Sequence, residues 1–515
     1  MGELAPTANI CVIGGGATGL SLLWALKSQG ATLGANLTLL HYQPRLGGQL
    51  HDQPRLGGHS ITYPIPVGGH SVPVDLGVQF VCKLIYPNLH RMLERPEFKG
   101  KVILDDFPAL KVSATFDAQM NWGNFPAYQS GPLFSRCYTP AIQAEIARFD
   151  LALLLAAPHF SMTLQEYFAE EAAKGKPYSD QFIDYFLLPY LSILNGYGGG
   201  RLLTDANLGE LSVIFVPGLA SFSKPGVGWQ SFRGGSSTWI EAMRSFAEGA
   251  GKTTIHTNAK ANAVFPSKTS PGVTVQWSKP DGSDPKLATF DAVVLTTDMN
   301  TNAKLLGNSN NGYWQAQQRI LSQYDLKPGS CFIHTDDSVF APYMKLREST
   351  VEFCASYVPR PGQSPPYDIE LTYSNYNVQN MVPGVSQPLY LTMYGQAEPP
   401  RAPDPKKTFV STQWTHGSFL GPQLYTAARQ VHQIQGMGNM WFAGNNTCQD
   451  SEEGALISAM VIAQKLFPAW KYPFPFFSEA EAMFDLIKYE LMFPGSLART
   501  LHSWDVWERN RAGHA

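Results

Sequence analysis

The chain has 515 residues, more than one hydrophobic core usually supports, so two domains are expected. Hydrophobic residues make up 44% and charged residues 15%, with 46 Gly and 38 Pro, which excludes a disordered or fibrous protein in favour of a globular, loop-rich one. A net charge of -3 leaves no basic excess to neutralise a phosphate backbone, so nucleic acid is not an expected partner.

The residues ahead of Ile10 carry no basic run, and the apolar stretch behind them breaks at Gly14, so no signal peptide is read. No stretch approaches the roughly 20 apolar residues of a bilayer span. The six cysteines are scattered, with no CxxC pair and no zinc-like spacing, so a cytoplasmic location and no metal are expected. Ile10 to Ile13 suits a buried parallel strand, and Leu20 to Lys27 reads as helix. Between them stands Gly14-Gly15-Gly16-Ala17-Thr18-Gly19. In a strand–turn–helix setting this pattern suits a dinucleotide. Gly14 makes the turn, Gly16 admits the pyrophosphate, Gly19 lets helix pack on strand, and the helix N-terminus faces the phosphates. A plain glycine-rich turn is the competing reading. Leu37 to Leu40 gives a second strand. Where an Asp or Glu would bind a ribose hydroxyl, the sequence has His41, then Tyr42 and Gln43. A neutral imidazole nitrogen can accept that bond, Gln43 can take it over, or His41 is a loop residue.

The segment QPRLGG then occurs twice, beginning at Gln43 and at Gln53, which reads as a tandem duplication in the loop after the second strand. Gly68-Gly69 suits a hairpin turn. Residues around 140–215 read as helical, with a stripe of Phe182, Tyr185, Phe186, Leu187, Leu188, Tyr190 and Leu191 that suits a core. Ile255 to Val264, Val273 to Trp277 and Phe290 to Leu295 read as three strands, and 325–400 as mixed sheet. Met440 to Ala443 reads as a strand, Gly444-Asn445-Asn446 as a turn, and Gly454 to Leu466 as an apolar helix with Glu453 at its start. His334, Asp336, His416 and Asp298 are candidate acid–base groups, weighed against the loop-bonding roles that His and Asp more often fill. The tail from Phe467 onward is aromatic and basic, with an apolar helix face over 479–492. It packs on the body, covers a pocket, forms a dimer contact or rests on a membrane surface.

GGGATG, a second strand and an R-x-G-G element resemble the flavin-containing amine oxidase and phytoene desaturase superfamily. Leu56-Gly57-Gly58-His59-Ser60, Val74-Asp75-Leu76-Gly77, Tyr86-Pro87-Asn88-Leu89, Gly234-Gly235-Ser236, His334-Thr335-Asp336, Trp414-Thr415-His416, Trp441-Phe442-Ala443-Gly444 and Glu453-Gly454-Ala455 resemble an amine-oxidase-like subgroup within it. The resemblance runs from about residue 10 to about 466. It implies an α/β protein: a discontinuous, Rossmann-like FAD-binding domain of the glutathione-reductase type (1–90, 230–300 and 425–466), an α+β substrate domain of mixed sheet and helices (91–229 and 301–424), and a tail (467–515). FAD would be held non-covalently. Arg45, Gly47, Gly48 and Gln49 of the first QPRLGG copy would pass the pyrophosphate, and backbone near Val264 would meet the adenine. Gly444, Asn445, Glu453, Gly454 and Ala455 would address the flavin, where a helix dipole stabilises the reduced ring.

The chain also departs from the pattern. Asn445 replaces an acid. The lysine that holds a water at flavin N5 has no clear counterpart (Lys327 is the nearest), and Asp450, Ser451 and Glu452 stand where a cage tyrosine would be. The expected activity is hydride transfer from a C–N or C–C bond of a small, lipophilic substrate to flavin, with molecular oxygen or another electron acceptor. Redox-neutral double-bond isomerisation of a polyene or fatty acid, and a non-catalytic nucleotide-binding partner protein, stay open beside it.

Overall fold

The computed structural model describes residues 4–29, 34–43, 60–83, 85–106, 112–115, 121–123, 139–155, 162–195, 202–205, 208, 211, 229–267, 271–307, 314–323, 328–339, 353–359, 367–375, 389–394, 398–399, 402–415, 430–444, 447–448, 451–475 and 479–493. Five short runs drawn from the whole chain, four of them largely apolar, form one parallel sheet. They are β1 (Asn9–Ile13), β2 (Asn36–Leu40), β3 (Thr253–His256), β4 (Ala292–Leu295) and β5 (Met440–Phe442), ordered β3-β2-β1-β4-β5. In β1, Val12 lies between Leu39 of β2 and Val294 of β4. The inner strands read as largely apolar runs because they are covered on both faces, whereas the edge strand β3 (Thr-Thr-Ile-His) is only partly covered.

The helices used below are α1 (Ala17–Lys27), α2 (Pro87–Leu93), α3 (Ser237–Gly249), α4 (Glu452–Leu466) and α5 (Glu479–Leu486). Helices α1, α3 and α4 share one core with Ile10 and Val12. Cys11, Ile13 and Leu40 face the other way, into a core with Val264, Val275, Trp277, Met299 and Leu306. That second face is covered partly by an antiparallel meander of Lys260–Pro266, Val273–Ser278 and Lys286–Phe290.

Two expected strands are each divided in two. The run from Ile255 to Val264 is broken at Asn258, which holds φ at 55° and turns the chain from β3 into the meander. The run from Phe290 to Leu295 is broken at Asp291, where the last meander strand gives way to β4. Both pieces of each run are partly or wholly buried, so hydrophobicity continues across a change of direction.

A seven-stranded mixed sheet lies beyond, ordered Thr408–Thr415, Pro328–His334, Tyr390–Tyr394, Tyr367–Asn375, Phe353–Pro359, Val112–Thr115 and Asn121–Gly123. Its parallel pair joins Phe353–Pro359 to Val112–Thr115. Helical segments Pro140–Leu155, Leu164–Ala173, Asp180–Phe182 and Leu188–Asn195 accompany it, with a π-turn over Ile183–Leu187. Phe149 packs on Tyr167, Phe168, Tyr178 and Phe182, and the rings of Phe182, Phe186 and Tyr190 stack in succession, so this part of the apolar stripe is core. Gly68-Gly69 closes the hairpin of Thr62–Val67 and His70–Asp75.

The described part of the tail packs on the body. Trp470 donates its indole N–H to the Ala25 carbonyl of α1 (2.8 Å), and the Phe474 ring stacks on Trp24 at 6.0 Å. Met483, Phe484 and Ile487 join the same core. The expected helix over 479–492 is α5 followed by a π-turn, Ile487–Met492. Among the described residues no helix is long and apolar enough to cross a membrane.

Candidate functional site

The glycine loop, His41, Thr296 and Gly444 all follow the C-terminal ends of strands in the parallel sheet. Strand order reverses between β1 and β4, the position where open α/β sheets bind ligands. Gly14 leaves β1 with φ at 118°, and a Cβ there would stand 2.6 Å from Thr296 Oγ1. The Thr296 hydroxyl in turn lies within hydrogen-bonding distance of the Ile13 and Gly14 carbonyls (3.0 and 2.9 Å). Gly16 caps α1 in extended conformation, with no side-chain cap and no acidic side chain in the first turn. The helix therefore opens with backbone N–H groups that lack intrahelical partners, a suitable cradle for a diphosphate.

His41 is tied to this loop. Its Nδ1 accepts the Gly15 N–H at 3.2 Å. A neutral imidazole then carries its proton on Nε2. In this tautomer Nε2 is a donor, so of the alternatives open for His41 the one in which its ring accepts a ribose hydrogen bond is not available at Nδ1. Gln43 is buried, and its carbonyl accepts from Asn258 N; the Tyr42 ring lies 5.9 Å from Lys260 Nζ. Val264 is fully buried and its carbonyl already accepts the Trp314 indole N–H at 2.8 Å, so this backbone acceptor is shared before any adenine reaches it.

On the other side of the switch point, Gly444 follows β5 with φ at 79°. Its N–H donates to Ser458 Oγ of α4 (2.9 Å), and a Cβ there would stand 2.7 Å from Thr18 Oγ1 of α1. Cys448 bridges the same turn, its Sγ 3.4 Å from the Gly444 carbonyl and 3.2 Å from that of Gly454. Helix α4 opens at Glu452 rather than at Gly454, capped by Ser451, whose Oγ accepts the Gly454 N–H at 2.9 Å; Ala455 is buried in the same turn. The N-termini of α1 and α4, both positive dipole ends, thus meet along one seam.

Glu453, expected to address a flavin, has its carboxylate elsewhere. It is fully buried and accepts from Asn88 N (2.9 Å), Asn88 Nδ2 (2.7 Å) and Leu89 N (2.9 Å), capping the first turn of α2. Burial pushes its carboxyl up to about 7, against the pull of those donors. Asp75 is a second buried staple. It accepts from Thr62 Oγ1 (2.6 Å), Ser236 N and Ser236 Oγ (both 2.9 Å), joining the DLG and GGS motifs. Burial lifts it to about 6.

Two of the acid–base candidates, His334 and Asp336, are also committed. His334 is completely buried, with Nδ1 accepting the Asp336 N–H (3.1 Å) and Nε2 2.7 Å from Thr392 Oγ1. Burial holds it down to about 4, so it is neutral at ordinary pH. Burial works to raise Asp336, but Asp404 N, Ser338 and Lys407 Nζ outweigh it and keep the carboxyl well below the usual range. Asp298 caps the helix Met299–Gly307 through Thr301 N. Arg45, Gly47, Gly48, Gln49, Lys327, His416 and Asn445 lie outside the described residues. Two participants escaped the sequence reading: Thr296, signalled by a small hydroxyl residue just past β4, and the clasp of Asn88 on Glu453, for which two separate motifs were the sole sign.

Residues 12–96 match the family described as an NAD(P)-binding Rossmann-like domain. Among solved structures, a CLA-producing fatty acid isomerase from P. acnes is similar at 13% identity, over 90% of this chain and 100% of that one, with a TM-score of 0.59. Cyclohexylamine oxidase from Brevibacterium oxydans is similar at 13% identity, over 90% and 99%, with a TM-score of 0.55. A putrescine oxidase is similar at 11%, over 89% and 98%, with a TM-score of 0.54. No curated sequence matches the chain. The protein shares its fold with this isomerase and these oxidases.

Proposed function

We propose that a chain with this fold is an FAD-dependent oxidoreductase that takes a hydride from a C–N or C–C bond of a small, lipophilic substrate. The observation that carries the reading is the seam itself: Gly444 packed on Thr18 brings the glycine loop and the start of α4 together. A dinucleotide laid along it meets two helix N-termini, with no acidic side chain in the first turn of α1. When bound, FAD supplies a hydride acceptor at N5. The protein's part is placement. Amides of Gly16 to Thr18 would hold the diphosphate, the Gly15 amide being taken by His41, and Arg45, Gly47, Gly48 and Gln49 would be its further contacts. His41 would stand beside the ribose, and Asn445 with the α4 dipole would stabilise negative charge on the ring. His334 and Asp336 are committed to Thr392 and to the loop at 404–407, so no proton transfer is assigned to them.

Redox-neutral isomerisation of a fatty acid or polyene is the second reading, favoured by the shared fold with the fatty acid isomerase and by the departures at the amine-oxidase positions. One experiment separates the two. The purified protein is expected to show a flavin absorbance band, and amines, polyenes and acyl lipids are then screened anaerobically. Bleaching supports oxidation, and turnover without bleaching or oxygen uptake supports isomerisation. A protein that neither carries nor takes up flavin sinks both.

A further inference from the structure

Helix α4 is tethered by both carboxylates of its first turn. Glu452 accepts from Ser60 Oγ at 3.0 Å, and Glu453 grips the first turn of α2. The second grip passes through Asn88, whose side chain is a junction. One Nδ2 hydrogen goes to Glu453 and the other to the Ala480 carbonyl (2.8 Å) at the start of α5, while Oδ1 accepts the Tyr472 hydroxyl at 2.6 Å. The Ala480 carbonyl can only accept, which fixes the amide nitrogen on the side of that carbonyl and Glu453 and leaves Oδ1 to accept from Tyr472. Tyr472 is itself held edge-on to Phe474 and against Phe484. The strand of chain that carries it is strapped across α1 by Trp470 on Ala25 and by a two-way amide pairing of Gln29 with Lys471.

We propose that Tyr472, acting through Asn88 and Glu453, is a positioning residue for the first turn of α4, which makes the segment after α4 a working part of the cofactor site. The inference rests on the FAD reading above and goes beyond it, because the tail lies outside the motifs that suggested a flavoprotein. The physical argument is one of sealed capacity. Glu453 and Asn88 are each fully buried, and neither can turn without leaving a polar atom unmatched. Releasing Tyr472 leaves Asn88 Oδ1 with one bond missing, and the disturbance reaches α4 one residue from Gly454.

The test is FAD binding by apoprotein, followed by flavin fluorescence and by the rise in melting temperature that saturating FAD produces. Tyr472→Phe deletes one oxygen and keeps the ring packing. It is expected to weaken FAD about tenfold, the factor of one buried hydrogen bond, and to shrink the FAD-induced rise. Trp470→Phe loosens the same segment at the far end of α1. It should lower the melting temperature of both forms and leave the FAD dissociation constant unchanged. Should Tyr472→Phe not fold, Asn88→Ala takes its place in the same comparison. An FAD affinity for Tyr472→Phe within twofold of the wild type, or an equal loss in Trp470→Phe, overturns the positioning role while the flavin reading stands. Wild-type protein that gains nothing from FAD overturns both.

Discussion

Replacing Gly19 by alanine sets two physical effects against each other within one helix. Alanine is the better helix former, by about 1 kcal/mol in a helix interior. Yet a Cβ on Gly19 would overlap the carbonyl oxygen of Gly14 and stand 3.1 Å from both its carbon and Thr296 Oγ1. The obstacle is backbone, pinned by Gly14 N donating to Leu40 O at 3.0 Å and by the Thr296 hydroxyl. Either α1 lifts by about 1 Å, giving up contacts with α4 and β1, or the loop is pushed out of shape. Overpacking of this kind costs about 1–3 kcal/mol, more where backbone must move, so the net effect is destabilisation by about 2 kcal/mol. Gly249→Ala at the last residue of α3 is the matched control, because a Cβ there meets nothing within 4 Å. It should be neutral or stabilising by up to ~1 kcal/mol. Thermal unfolding of both variants, with and without FAD, reads the sign directly. Gly19→Ala should melt lower and lose FAD binding. A Gly19→Ala protein that melts with the wild type and binds FAD normally would refute the packing argument.

Thr296→Val removes the hydroxyl that spans the Ile13 and Gly14 carbonyls. It should cost about 1 kcal/mol of stability and weaken FAD several-fold in a titration; unchanged affinity would mean the loop does not need that anchor. Glu453 has its carboxyl raised to about 7 in the folded protein, so the folded state binds protons more tightly than the unfolded one. Stability should fall as pH rises from the ordinary carboxylate range through about 7 and then level off, by at most roughly 3 kcal/mol from this group. Glu453→Gln should lack that fall in melting curves taken from pH 4.5 to 8.5, and parallel curves for the two proteins would contradict the assignment. His334 is held neutral down to about pH 4, so the pH–rate profile above pH 5 should carry no inflection from it. His334→Gln should lower the melting temperature and leave the profile's shape alone.

The Rossmann-like end of the molecule was legible because its rules are local. An apolar run, a turn needing φ at 118° and a helix follow one another without a gap, and the Gly68-Gly69 hairpin is local in the same way. Other features hid where hydrophobicity continues across a change in geometry. Asn258 and Asp291 each interrupt a run read as one strand, and a strand pattern does not register a break made by one residue, left-handed at Asn258. The fate of the tail was open because apolar side chains do not name the surface that covers them. A hint was present in α1, whose sequence ATGLSLLWALK is buried on every side, so something other than the sheet had to cover Trp24. The role of His41 at the end of β2 stayed open in the sequence, because its hydrogen bond to Gly15 depends on a turn whose amides the sequence does not orient.

The buried acids carry the broader point. Glu453 reaches α2, Asp75 reaches Ser236 and Asp336 reaches Asp404, and each carboxylate accepts a backbone N–H from a segment remote in sequence. In a fold whose parallel sheet is assembled from separate stretches of chain, such bonds staple the segments to one another. A carboxylate suits the task because its bonds to N–H donors are charge-assisted, which offsets part of the cost of burying it. Carboxylates spent in this way are withdrawn from proton transfer. Chemistry that needs only placement over a flavin, dryness and a helix dipole leaves acids free to serve as structure: Glu453 and Asp75 tie separate segments together, and Asp336 does the same for the loop at 404–407 beside the seven-stranded sheet.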